Sequence, residues 1–140
     1  MAFKIDRVDT WAASMKDKPG QLADKLEALA EAKVNLEFVI ARRAPEKPGT
    51  SVVFVTAIKG AAQARAARKI GFKKTKSLHT VRIEGPDKKG QGAKITRALG
   101  TKGINLRGLS AAAIGKKFVA HIALDKAADA TKAVRILKAL

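Results

Sequence analysis

The sequence predicts an α+β protein built from two ferredoxin-like βαββαβ units in tandem, the second without an evident final strand. Three observations predict it. A segment recurs at an offset of seventy residues, each copy reads strand, helix, strand, strand, helix, and the 140-residue length accommodates two such small units.

The repeat is explicit in the residues. Asp17-Lys18-Pro19-Gly20-Gln21 returns as Asp87-Lys88-Lys89-Gly90-Gln91, and the same shift carries Ala28-Leu29 onto Ala98-Leu99 and Asn35-Leu36 onto Asn105-Leu106. Beyond Gly49 the offset shortens to 66, pairing Val53 with Val119 and Ala61-Ala62 with Ala127-Ala128. A shorter hairpin loop in the second copy accounts for the change.

Each element follows from local chemistry. Val8 to Met15 places Trp11, Ala13 and Met15 on one face at period two, a strand that stops at the turn sequence Lys16-Asp17-Lys18-Pro19-Gly20. From Gln21 to Ala32, Leu22, Leu26 and Leu29 form an apolar stripe with Asp24, Lys25, Glu27 and Glu31 off it, which predicts an amphipathic helix. Residues 35–43 and 51–58 are rich in β-branched and aromatic side chains, and the Pro- and Gly-containing link between them predicts a hairpin. An alanine-rich helix over 61–70 follows, and Phe72 to Ser77 would be a fourth strand. Copy two repeats the order with a strand over 79–84, a helix over 91–101, strands over 105–114 and 117–124, and a helix over 127–138. No matching strand follows Leu140. The predicted units are 1–77 and 78–140. Helices on one sheet face leave the other uncovered, so Val39, Val53 and Val55, or their immediate neighbours, need a second unit to bury them.

Composition bounds the function. No cysteine is present, which removes disulfides, thiolate metal sites and cysteine nucleophiles. No apolar run is long enough to span a membrane, and the charged N-terminus is unlike a signal peptide, so a cytoplasmic protein without membrane partners is expected. The net charge of +17 is uneven: residues 1–70 hold 13 basic and 8 acidic side chains, residues 71–140 hold 16 and 4. Such a field draws polyanions without specifying a fold.

The loop narrows the reading further. A strand ending in Asp17-Lys18-Pro19-Gly20-Gln21-Leu22, a three-turn helix, then Val34-Asn35-Leu36 entering the second strand resembles the ACT domain family, whose members sense amino acids. Copy two is similar, through Asp87-Lys88-Lys89-Gly90-Gln91 and Gly103-Ile104-Asn105-Leu106, but lacks the proline and the leucine. The resemblance implies a regulatory protein that binds an amino acid or related small ligand, not an enzyme. It also implies an unidentified regulated protein partner and a ligand held between the loops and a neighbouring ACT unit, with no cofactor, while the uncovered sheet faces and the absent fourth strand of copy two predict a homodimer. The implied ligand-binding residues are Asp17, Pro19, Gly20, Gln21, Leu22 and Asn35, with Asp87, Gly90, Gln91 and Asn105 forming a second set. Their chemistry suits a small carboxylate ligand, since glycine permits close approach, first-turn amides favour the negative charge, and asparagine offers a donor and an acceptor. Each residue also has a structural reading, with aspartate and glycine serving the turn, Leu22 the core, and asparagine a left-handed residue at the helix exit.

Other chemistry lacks residues. His79 and His121 sit in predicted strands without a converging nucleophile or carboxylate, and Gly85 to Gly92 does not match a phosphate-binding loop. The alternative function is nucleic-acid or polyanion binding through the basic run Lys47 to Arg82, which contains no acidic residue. Against it, the strands lack the exposed aromatics on which bases stack.

Overall fold

The computed structural model describes residues 3–140, which form two compact units. One spans Asp9–Thr75. The other combines Lys76–Leu140 with the preceding strand Lys4–Val8, so the boundary expected at residue 77 is replaced by two crossings of the chain, at Val8–Asp9 and Thr75–Lys76.

In the unit Asp9–Thr75, β2 (Trp11–Lys16), β3 (Phe38–Arg43), β4 (Thr50–Thr56) and the two-residue β5 (Lys73–Lys74) make an antiparallel sheet of order β3-β4-β2-β5. Helices α1 (Gln21–Glu31) and α2 (Gly60–Lys69) accompany it. Trp11 pairs with Val55 and Ala13 with Val53, which puts all four on one face, where they join Leu29, Ala67 and Phe72 in the core. Val53 and Val55 are therefore interior to the unit, and their neighbours Val52 and Phe54 take the opposite face, as alternation requires.

The second sheet has the same construction with one substitution of parts. Its strands are β6 (His79–Pro86), β7 (Gly108–Ile114) and β8 (Lys117–Leu124), with α3 (Gln91–Thr101) and α4 (Ala127–Lys138). The order is β1-β6-β8-β7, so β1 (Lys4–Val8) occupies the edge that β5 fills in the other sheet. The fourth strand of this sheet thus comes from ahead of the first unit in the sequence. Pairing runs antiparallel from Lys4 opposite Glu84 to Val8 opposite Thr80. Phe3 and Ile5 enter the core with Val81, Ile83, Ile95, Leu99, Ile122, Leu124 and Leu137. The glycine at Gly85 is required here, because a Cβ at that position would overlap the Phe3 ring.

The strand expected over residues 8–15 is thus two strands interrupted at Asp9–Thr10. Tertiary hydrogen bonds hold the break: Thr56 Oγ1 donates to the Asp9 carbonyl at 2.8 Å, and the Thr75 amide donates to the Thr10 carbonyl at 2.9 Å. Strands expected from Asn35 and Asn105 begin only at Phe38 and Gly108. Both asparagines lie in irregular chain. Helices over 91–101 and 127–138 and the strand over 117–124 match the predicted bounds.

Burial of Ile5 at 7% exposure makes β1 more than an edge cover. Ile5→Ala is expected to lower stability by about 2–4 kcal/mol, the usual cost of truncating a core isoleucine. Urea denaturation followed by circular dichroism measures it.

Candidate functional site

Both loops singled out by the repeat adopt one backbone conformation. Gly20 and Gly90 precede α1 and α3 with φ of 85° and 82°, a left-handed geometry that L side chains rarely hold. Space around each is open, since a Cβ built there meets nothing within 4 Å. The glycines are therefore set by φ, not by crowding. The Asp24 amide donates to the Gly20 carbonyl and the Lys94 amide to the Gly90 carbonyl, both at 2.9 Å, which starts each helix. Ahead of these bonds the Gln21 and Gln91 amides donate to the Lys18 and Lys88 carbonyls at 3.4 and 3.2 Å, and the next two amides of each helix lack partners within it and carry the positive end of its dipole.

The side chains on the two loops differ. Asp17 is tied down: Arg43 Nε donates to its Oδ2 at 2.9 Å, Ser51 Oγ donates to its Oδ1 at 3.2 Å, and its amide donates to the Gly49 carbonyl at 3.0 Å. Asp87 anchors its loop through its amide, which donates to the Lys116 carbonyl at 2.8 Å, and it is exposed. Gln91 is buried and structural, its Nε2 donating to the Pro86 carbonyl at 2.7 Å, whereas Gln21 is half-buried. Leu22 packs against the core, and Pro19 is exposed on the turn.

Asn35 and Asn105 are not at these loops. Each follows the far end of an 11-residue helix, about 16 Å from the helix start. Neither is the left-handed residue at the helix exit. That role falls to Lys33 at φ 68° and to Gly103 at φ 77°, again at an offset of seventy. The Val34 amide then donates to the Leu29 carbonyl and the Ile104 amide to the Leu99 carbonyl, closing both turns.

Residues beside the first loop that the repeat did not mark are Arg43 and Ser51, brought there by β3 and β4 through the register Arg43 opposite Ser51. The Arg43–Asp17 ion pair is 83% and 36% exposed at its two side chains, so it is worth no more than about 1 kcal/mol. The Arg43 guanidinium is thus only weakly committed to Asp17. The second loop has no counterpart, because its hairpin carries Ile114, Lys116 and Lys117. Lys117 instead donates to Glu84, which also binds Arg82 at 3.0 Å. These contacts, Arg82 foremost and then Lys117, hold the Glu84 carboxyl below its ordinary range. Among the described residues no group of three or more metal-ligating side chains converges, and no helix is long and apolar enough to cross a membrane.

Solved structures share this architecture over almost the whole chain. Protein BT0572 from Bacteroides thetaiotaomicron is 15% identical over 94% of this chain and 88% of its own, with a TM-score of 0.78. The chain has the tandem ACT fold. The ligand-free regulatory subunit of aspartate kinase from Thermus thermophilus is 18% identical over 98% of this chain and 95% of its own, with a TM-score of 0.64. Aspartate kinase from Clostridium acetobutylicum, described as an allosteric enzyme, matches 98% of this chain with 33% of its length, at 15% identity and a TM-score of 0.62. No family model and no curated protein matches the sequence. The similarity to these structures therefore resides in the fold.

A Glu84 pKa held down in the folded state contributes stability that is present above the unfolded carboxylate pKa and lost as pH falls through the lower folded value. Glu84→Gln is expected to narrow the difference between urea midpoints measured at pH 7 and pH 3.

Proposed function

We propose that the chain is a regulatory protein that binds an amino acid or a closely related small carboxylate at its ACT loops. The observation that carries this reading is the open left-handed glycine at the start of α1, beside a weakly paired arginine. First-turn amides and Arg43 together offer a carboxylate several charge-assisted hydrogen bonds. The regulatory aspartate kinase subunits with the same fold support the class of function. On this reading the first loop, with Asp17, Pro19, Gly20, Gln21, Leu22 and Arg43, is the stronger site, and Asp87, Gly90 and Gln91 form the weaker one.

Asn35 and Asn105, at the far end of their helices, then serve a site that another chain completes. A homodimer supplies that chain. Strands β3 and β7 are sheet edges, and they expose Val39 and Ile40 at 41%, Leu109 at 45% and Ile114 at 75%. Apolar edges of this kind invite pairing with a second copy. A regulated protein and a cytoplasmic setting complete the proposal, which involves neither a cofactor nor catalysis by the chain itself.

A thermal-shift screen against the twenty amino acids is expected to raise the melting temperature with at least one of them, by mass action on the native state. Gly20→Asn, which tolerates the left-handed backbone but fills the approach, is expected to remove that shift, whereas Gly90→Asn retains most of it. A screen without any stabilising amino acid would sink the proposal. Light scattering at micromolar concentration is expected to give about twice the 14.9 kDa chain mass. Ile40→Lys is expected to shift the protein toward monomer.

A further inference from the structure

Four of the nine cations between Lys47 and Arg82 are engaged within the protein. Lys59 is paired with Glu37, Lys74 with Asp9 and Arg82 with Glu84, while Arg68 lies 5.5 Å from the centre of the Trp11 ring. Unbalanced positive charge also concentrates on the second helix pair. Within α3 and α4 stand Lys94, Arg97, Lys132, Arg135 and Lys138 against the single carboxylate Asp129, and Lys102 caps α3. The corresponding pair α1 and α2 is nearly balanced, with Lys25, Arg65, Arg68 and Lys69 against Asp24, Glu27 and Glu31.

All six cations of the α3–α4 face are exposed, and none is in an ion pair among the described residues. Each of those pairs lies on strands or loops. Lys94 sits 5.9 Å from the centre of the Phe3 ring, a contact that leaves its charge uncompensated. Lys132 Nζ donates to the Lys102 carbonyl at 3.0 Å, which fixes one ammonium across an open groove of about 570 Å³ between the helices. Small side chains at Ala98, Gly100 and Thr101 leave the α3 backbone open to close approach. Lys132, Arg135 and Lys138 follow at three-residue spacing, a ridge of about 9 Å along α4.

We infer that the α3–α4 face binds the phosphate backbone of duplex nucleic acid without reading its sequence. The face itself separates this partner from others. Neither helix carries an aromatic residue or a methionine, so there is no ring to stack on a base, and four of the six cations are lysines, which folded protein interfaces deplete. Cations outside ion pairs, with small neighbours, match a regular phosphate array, where affinity comes from counterion release.

Fluorescence anisotropy with a labelled duplex of random sequence, about 20 base pairs long, tests the inference. Neutralising six phosphates gives a log K against log salt slope of about −5, so binding weakens roughly 10³-fold between 50 and 200 mM salt. The triple variant K132Q/R135Q/K138Q is expected to bind at least about tenfold more weakly at 50 mM salt, with a slope shallower by about 3. The control R65Q/R68Q/K69Q, on the balanced helix pair, is expected to stay within about threefold of the native protein. Unchanged circular dichroism in both variants keeps the comparison interpretable. Absence of binding at 50 mM salt, an equal loss in the control, or displacement of the duplex by poly-glutamate at equal charge would each overturn it.

Discussion

Pairing of β1 with β6 is the constraint on which the molecule's organisation rests. Without it the sheet of the unit containing α3 and α4 would have three strands and a central strand, β6, turned into an exposed edge. Its core would also lose Phe3 and Ile5. Helix α4 packs against both β1 and β6, so the same strand orders the helix that carries the basic ridge. Gly85 completes the arrangement: the missing side chain on β6 is the space into which Phe3 folds.

Most of this fold is legible in the residues because its elements are strongly periodic and repeated. The stripe Leu22, Leu26, Leu29 and the alternation Trp11, Ala13, Met15 announce their partners, and the conformations at Gly20 and Gly90 follow from a turn sequence found twice. What escapes is non-local. Lys4-Ile5-Asp6-Arg7-Val8 is short and carries three charges, as edge strands often do, but its partner lies more than seventy residues away and no local pattern names it. Nor does periodicity reveal the break at Asp9–Thr10, which is imposed by hydrogen bonds from Thr56 and Thr75. In the candidate site the glycines and their open approach are readable from the turn sequence. Arg43 and Ser51 are not, because strand register brings them to the loop. Asn35 belongs to the same motif as Gly20 in sequence, yet the length of α1 stands between them in space.

The two halves keep a common backbone while their surfaces diverge. One loop gains an arginine and a hydroxyl around its aspartate, whereas the other leaves Asp87 exposed and commits its nearby lysine to Glu84. One helix pair balances its charges and the other does not. Duplicated frameworks tolerate this kind of specialisation because loop tips and helix exteriors contribute little to the core, so residues there vary without disturbing its packing.

The double crossing at Val8–Asp9 and Thr75–Lys76 has a kinetic meaning. Joining residue 8 to residue 80 directly from an unfolded chain would close a loop of about seventy residues, an entropic cost of roughly 4 kcal/mol. Folding of Asp9–Thr75 meets that cost in advance, since Thr10 and Thr75 become hydrogen-bonded neighbours as β2 and β5 align. The strand Lys4–Val8 is synthesised long before β6 emerges from the ribosome, and at about 5–20 residues per second it waits several seconds for its partner. In that interval the intervening unit can form and bring the early strand back to where it will be used. The order of elements along the chain thus favours closure of Asp9–Thr75 before β1 pairs with β6.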